Sequence, residues 1–154
     1  MIVKNGLRLC GTGGARASTA IQQNKAYWEV KLQQSGVWAC GVCTASADLN
    51  KGLGLDANSW VLDSEGAVRT RGQEEYKVSQ QIQEGDVLGF TYDHVELNFF
   101  LNGTNLNCPV LGIKGTVYPV VYVNDGAILD AIFESLRCSI PSGFDRIMVE
   151  KALL

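Results

Sequence analysis

Apolar and polar residues alternate with a period of two along several short stretches of the chain. In residues 27–32, Trp28, Val30 and Leu32 share one face, and the opposite face carries Tyr27, Glu29 and Lys31. Such alternation is typical of a strand with one face on a core and the other in solvent. The pattern therefore predicts a half-buried β-strand here.

Turn residues follow or precede further alternating stretches. Residues 95–101 alternate in the same way and end at Asn102-Gly103, a pair that adopts the positive φ values of a type I′ turn. Asn5-Gly6 repeats this signal near the amino terminus, and Gly85-Asp86 introduces a predicted strand at residues 87–92. Hairpins of this kind predict a mostly antiparallel chain.

Two longer runs, residues 117–123 and 127–133, are apolar at nearly every position. This is typical of strands deep in a two-sheet stack. Only residues 144–154 suit a short terminal helix. We predict an all-β, antiparallel two-sheet sandwich. With 154 residues and no linker or repeat, residues 1–154 are expected to form a single domain.

The segments between the predicted strands are rich in turn residues and carry few packing constraints. Loops on a rigid sandwich can vary without unfolding it, so they are the candidate functional surface. The four segments are residues 33–36, 47–58, 71–76 and 124–126.

Charge and hydropathy exclude two classes of function. The 13 basic and 16 acidic residues are scattered and give a net charge of −3, which does not suit nucleic-acid binding. The chain has no apolar run of about 18 residues, so no membrane span is expected. The amino-terminal residues lack the apolar segment of a secretory signal, and the five cysteines have mostly apolar neighbours. We therefore expect a cytoplasmic protein with buried, reduced thiols.

Cys40 and Cys43 form a Cys-x-x-Cys motif, which in other settings indicates a redox or zinc site. Here they fall within residues 37–44, a predicted strand that would place their Cα atoms about 10 Å apart with side chains on opposite faces. A disulfide requires Cα atoms closer than about 7 Å. The second pair of ligands that a zinc site needs is also missing. We interpret both cysteines as structural.

His94 is the only histidine, and it lies between two predicted strands in Tyr92-Asp93-His94, where Asp and His are ordinary turn residues. Ser139 and Cys138 lack the Gly-x-Ser-x-Gly context of a catalytic nucleophile. Neither an enzyme nor a metal or cofactor site is therefore expected.

The three tryptophans are either core residues or interface anchors. Trp28 and Trp38 alternate with apolar residues, which favours the core. Trp60 directly follows the long loop, so both a core position and a place at the rim of the loop end remain open.

Six motifs, in one order across nearly the whole chain, resemble those of the SPRY domain family. They are Tyr27-Trp28-Glu29-Val30, Gly41-Val42, Ser59-Trp60 followed by Gly66, Gly85-Asp86-Val87-Leu88-Gly89, Phe99-Phe100-Leu101-Asn102-Gly103 and Tyr118-Pro119-Val120-Val121.

The resemblance implies a bent, concanavalin-like jelly roll without the amino-terminal PRY extension. It also implies a non-catalytic, adaptor-like module that binds another protein or peptide, free or within a larger assembly. In SPRY proteins that bind short Asn-rich peptides, an aromatic residue after the Tyr-Pro motif contacts the ligand. This chain has Asn124-Asp125-Gly126 there, so that specificity is not carried over, while the position stays in the candidate surface.

The candidate protein-binding surface is the loop end formed by residues 47–58 together with Asn124 and Asp125. Its leucines are either exposed apolar contacts ringed by polar groups or plugs for the end of the core. An alternative function is a lectin-like sandwich, in which Trp60 would form a sugar platform with Asn58 or Asn124. The predicted site residues are Gly36, Leu49, Asn50, Leu53, Leu55, Asn58, Trp60, Asn124 and Asp125.

Overall fold

A computed structural model of the protein describes residues 1–4, 6–147 and 153, and its regular elements are β-strands. In chain order they are Ile2–Val3 (β1), Arg8–Leu9 (β2), Gly13–Arg16 (β3), Ala26–Gln34 (β4), Val37–Cys43 (β5), Ser59–Asp63 (β6), Ala67–Thr70 (β7), Gln73–Lys77 (β8), Val87–Tyr92 (β9), Glu96–Leu101 (β10), Thr104–Asn105 (β11), Val110–Leu111 (β12), Tyr118–Asn124 (β13), Ile128–Ile132 (β14) and Asp145–Arg146 (β15).

The strands form two sheets that pack face to face. The nine-stranded sheet runs in the order β1-β2-β14-β4-β9-β10-β11, with β12 paired to β10 and β15 paired to β4. The six-stranded sheet runs in the order β3-β13-β5-β6-β7-β8. The sheets are antiparallel apart from the short parallel pairing of β15 with β4. The predicted antiparallel two-sheet sandwich is confirmed.

Local sequence signals place several elements where they were expected. β9 has the predicted bounds, Val87–Tyr92. Asn102 and Gly103 have φ values of 50° and 86° and join β10 to β11, with Leu101 opposite Thr104. The amino-terminal hairpin pairs β1 with β2, although Asn5 in its turn lies outside the described residues.

The core between the sheets is built around stacked aromatic rings. Trp28 of β4 stacks on Phe90 of β9 with ring centroids 5.3 Å apart, and Phe90 meets Phe99 of β10 edge-on at 5.8 Å. Trp38 of β5 is buried in the same core from the opposite sheet. The predicted core positions of Trp28 and Trp38 are therefore confirmed.

The outer face of β4 differs from the sequence-based expectation. Tyr27 and Glu29 were expected to face solvent, yet both are buried. The segment that follows β14 crosses this face, and the backbone N–H groups of Arg137 and Cys138 donate to the Glu29 carboxylate at 2.7 and 3.0 Å. The prediction of a half-buried strand was wrong here because this cover comes from residues more than 100 positions away.

The predicted terminal helix is also wrong in its first part. Asp145–Arg146 forms strand β15, which pairs with Ala26 and Tyr27 of β4. The rest of the predicted helix, apart from Leu153, lies outside the described residues. Across residues 1–4, 6–147 and 153, no helix with the length and apolarity of a membrane span is found.

Candidate functional site

Residues 44–58, here named the covering loop, connect β5 to β6 and fold over the outer face of the six-stranded sheet. Leu53 is only 8% exposed and packs with Cys43 and Val61, whose side chains point away from the inter-sheet core. Leu49 packs on the same cluster, and its carbonyl accepts a 2.7 Å hydrogen bond from the N–H of Gly14. Two of the three loop leucines therefore attach the loop to the sheet.

Leu55, the third leucine, is 64% exposed although its neighbours are firmly held. On one side, the Gly54 N–H donates to Ser59 Oγ at 2.7 Å and the Gly54 carbonyl accepts from the Gly72 N–H at 2.8 Å. On the other side, the Asp56 carbonyl accepts from the Arg71 N–H at 2.9 Å. A large apolar side chain is thus exposed to solvent, while hydrogen bonds hold the backbone of both flanking residues.

The two asparagines predicted in this loop have different roles. Asn58 is half-buried, and its Oδ1 accepts a 3.0 Å hydrogen bond from Thr44 Oγ1, which closes the base of the covering loop. Asn50 is exposed near the middle of the loop, where its N–H donates to Asp48 Oδ1 at 2.9 Å. Asn50 is therefore available for contact, whereas the Asn58 amide oxygen already has a partner.

Trp60 belongs to the core and not to the rim. It is 9% exposed and points between the sheets from β6, opposite Val42 of β5. Strand alternation explains this, because Ser59 and Val61 take the outward positions. The sugar platform that the lectin interpretation requires of Trp60 is therefore not formed.

Gly36, Asn124 and Asp125 form a second group. A Cβ atom at Gly36 would lie 2.5 Å from the Ala127 nitrogen and 2.6 Å from the Asp125 carbonyl oxygen, so this close approach requires glycine. Asn124 Oδ1 accepts from Thr12 Oγ1 at 3.3 Å and from the Asp125 N–H at 2.9 Å. Asp125 is exposed with a positive φ of 49°.

The structure spreads the predicted residues along the β5–β13 strand pair. β5 pairs with β13 so that Val37 is opposite Asn124, while Cys43, where the covering loop begins, is opposite Tyr118. The two ends of this strand pair are about 20 Å apart. The Leu49 carbonyl bonds to Gly14, which pairs with Tyr122 of β13, so part of the covering loop reaches towards the Asn124 end. The predicted residues therefore lie along one face of the sheet and not at a single loop end.

Sequence reasoning missed the part that Arg71 and Gly72 play. Their segment was a candidate loop, but neither residue was assigned to the site. Both donate backbone hydrogen bonds to the covering loop. Positive φ values of 55° at Arg71 and 72° at Gly72 mark a tight turn between β7 and β8. Spacing along the chain cannot link this turn to Leu55.

Two charge contacts lie in the sheet next to the covering loop. Arg69 of β7 donates through Nε to Asp63 Oδ2 at 2.8 Å, and this hydrogen bond raises the pKa of the Arg69 guanidinium. At the base of the loop, the Arg16 guanidinium lies 4.0 Å from the ring centroid of Tyr118. These contacts make the sheet beneath the loop a stable support.

Cys40 and Cys43 lie on opposite faces of β5, as predicted. Burial raises the pKa of Cys43 to about 12, although the nearby Arg16 charge opposes the rise, and burial also raises the pKa of Cys40 well above the usual thiol range.

We expect both thiols to resist alkylation at pH 8 in the native protein, since the thiolate is the reactive form. Thiol trapping followed by mass spectrometry checks this. A Cys40–Cys43 disulfide or rapid labelling of either thiol would contradict it.

The surroundings of His94 indicate a structural role. His94 lies in the turn before β10 with a φ of 69°, its ring 4.9 Å from that of Tyr92 and its Nε2 2.9 Å from the Gln23 carbonyl oxygen. In the described part of the chain, no three His, Cys, Asp or Glu side chains are grouped in a way that could hold a metal ion.

The comparisons with known proteins agree with this architecture. Residues 25–135 match the SPRY domain family, so the chain belongs to that family, whose members are generally protein-interaction modules. The sequence is also similar to SPRY domain-containing protein 7 of Gallus gallus, Bos taurus and Homo sapiens. Each is 49% identical over 156 residues, covering 99% of this chain and 80% of the relative.

A solved structure supports the fold independently. The crystal structure of the SPRY domain of human HERC1 matches with a TM-score of 0.73, covering 88% of this chain and 94% of that chain. The two sequences are only 18% identical, so this likeness concerns the jelly-roll sandwich alone.

Proposed function

We propose that this chain is a single, non-catalytic SPRY domain that binds a partner protein or peptide through the covering loop, with Leu55 as the central contact. The observation that carries the proposal is the 64% exposure of Leu55 between two hydrogen-bonded neighbours. Single exposed leucines are common on protein surfaces. A leucine held in place on a fixed backbone differs, because little conformational entropy is lost when a partner covers it.

The polar rim of this surface also suits a protein partner. Asn50, Lys51 and Arg71 are exposed around the same loop, and Gly52 lies close to the Leu55 side chain, within 3.7 Å of Cδ1 if it carried a Cβ. An apolar centre with a polar rim is the usual arrangement of a protein interface. A sugar site lacks comparable support, since the ring of Trp60 is in the core.

A cytosolic adaptor role is part of the same proposal. All five cysteines are free thiols, and three of them are buried. Such a set suits a reducing compartment. The non-catalytic character is supported by the raised pKa values of the Cys40 and Cys43 thiols and by the turn position of His94.

Substitution of Leu55 with aspartate tests the proposed surface. We expect Leu55→Asp to weaken partner binding about tenfold or more, equivalent to about 1.4 kcal/mol, because a charge replaces the apolar contact. The free energy of unfolding should change by less than about 0.5 kcal/mol, as is usual for exposed positions. The measurement is the recovery of endogenous partners in a pull-down with matched amounts of folded protein.

Two variants serve as comparisons in this pull-down. Leu111→Asp changes another leucine, 65% exposed on β12 of the opposite sheet, and should leave recovery unchanged. Asp125→Arg reverses a charge in the second group. Loss of binding with Asp125→Arg but not with Leu55→Asp would move the site to the Gly36–Asn124 end of the sheet and contradict the proposal.

A further inference from the structure

A groove of about 500 Å³ lies on the outer face of the nine-stranded sheet, on the side of the sandwich opposite the covering loop. The turn that carries Lys4 and Leu7 forms one wall, Lys31 and Ile132 contribute from β4 and β14, and the segment up to Arg137 forms another wall. The Leu7 carbonyl accepts a 2.7 Å hydrogen bond from the Ala131 N–H, which fixes the first wall to the sheet. The volume is within the range of ligand-binding pockets, about 300 to 1,000 Å³.

The two carboxylates that line this groove already have cationic partners. Asp130 accepts hydrogen bonds from Arg8 Nε and Nη2 at 2.6 and 2.9 Å, and from Gln33 Nε2 at 2.7 Å. Burial acts to raise the pKa of Asp130, but the contacts with Arg8 and Gln33, together with the more distant Lys4 charge, outweigh it and lower that pKa. Glu134 lies 3.6 Å from the Arg146 guanidinium. Neither acid therefore leaves the groove with uncompensated negative charge.

The three cations that line the groove differ from its two acids in their ion pairing. Lys4, Lys31 and Arg137 form no ion pair with any carboxylate in residues 1–4, 6–147 and 153. Arg137 is positioned by the protein itself, because its backbone N–H donates to the buried Glu29 carboxylate at 2.7 Å. The groove thus combines a positive rim with the apolar side chains of Leu7 and Ile132.

We propose that this groove binds an acidic segment of a partner polypeptide, with its carboxylates against Lys4, Lys31 and Arg137 and an apolar side chain against Leu7 and Ile132. Charge complementarity favours this occupant, since the groove groups three cations on a chain whose net charge is −3. Three cations on a negatively charged protein are too few for a nucleic-acid site. This surface is separate from that of the proposed function, so either can fail without the other.

The test uses a fluorescein-labelled octapeptide of alternating glutamate and leucine, with fluorescence anisotropy as the readout. The glutamate peptide should bind the wild-type protein, and the same peptide with glutamine in place of glutamate should not. Lys31→Gln and Arg137→Gln should each weaken binding about five- to tenfold. Binding should also weaken as salt rises from about 50 to about 200 mM, because salt screens exposed charges.

Two control variants distinguish binding at this groove from nonspecific electrostatic attraction of the peptide. Lys114→Gln removes an exposed cation distant from the groove in sequence and absent from its lining, and Leu55→Asp changes the covering loop; both should bind the peptide like the wild type. Equal weakening by Lys114→Gln, unchanged binding by the two groove variants, or equal binding of the glutamine peptide would each overturn the proposal. Binding that requires phosphoserine in place of glutamate would overturn the assignment to a carboxylate ligand.

Discussion

Trp28→Ala is expected to destabilise the folded state by about 3 to 5 kcal/mol, the usual cost of truncating a buried aromatic residue. Trp28 is 1% exposed, and its ring stacks on Phe90, which in turn contacts Phe99. Removal of the indole leaves a cavity at the centre of this aromatic cluster. The loss is a large share of the roughly 5 to 15 kcal/mol that keeps a domain folded.

Urea denaturation followed by circular dichroism measures this effect without relying on the fluorescence of the missing tryptophan. Trp28→Phe is the matched control, since it keeps a ring opposite Phe90 and should cost less than half as much. A loss below about 1 kcal/mol for Trp28→Ala would show that the aromatic cluster does not hold the two sheets together.

Glu29→Ala should destabilise the protein by about 3 kcal/mol, because it leaves one buried and two partly buried donors without their acceptor, and an unsatisfied buried donor costs about 1 to 3 kcal/mol. These donors are the hydroxyl of Tyr27, 2.7 Å from Glu29 Oε2, and the N–H groups of Arg137 and Cys138. Release of the two amides to water offsets part of the cost. Glu29→Gln keeps one acceptor oxygen and should give an intermediate loss.

Alkylation of Cys138 reports on the same contact. Burial and the neighbouring Glu29 carboxylate raise the pKa of the Cys138 thiol. Glu29→Ala removes the carboxylate and frees the segment, so the thiol should alkylate faster at pH 8, while Cys43 beneath the covering loop stays unmodified and serves as the internal control. An unchanged Cys138 rate together with unchanged stability would show that Glu29 does not hold this segment.

The strands themselves could be predicted because their signals are local. The pattern of Val87–Tyr92 after Gly85-Asp86, and the turn at Asn102-Gly103, depend on residues adjacent in sequence. The cover over Glu29 could not be predicted, because it comes from Arg137 and Cys138. Alternation alone identifies the two faces of a strand but not whether a distant segment lies on the outer one.

The candidate surface was predictable only in part for the same reason. The sequence identifies three leucines in the long loop but cannot decide which of them face the sheet. The structure attaches Leu49 and Leu53 to the sheet and leaves Leu55 exposed, because the turn at Arg71 and Gly72 holds its neighbours. Spacing also could not show how the covering loop lies relative to Asn124 and Asp125, since this depends on the bond of Leu49 to Gly14 and on the pairing of Gly14 with Tyr122.

Photo-cross-linking at position 55 tests the central claim, that the covering loop is the protein-binding surface, most directly. A photoreactive amino acid replaces Leu55, or in parallel Leu111 or Asp125, and adducts formed in cell extract are resolved by mass. We predict one discrete protein adduct at position 55 that excess wild-type protein suppresses and excess Leu55→Asp protein does not, with no such adduct at position 111. An adduct confined to position 125, or equal adducts at positions 55 and 111, would contradict the account.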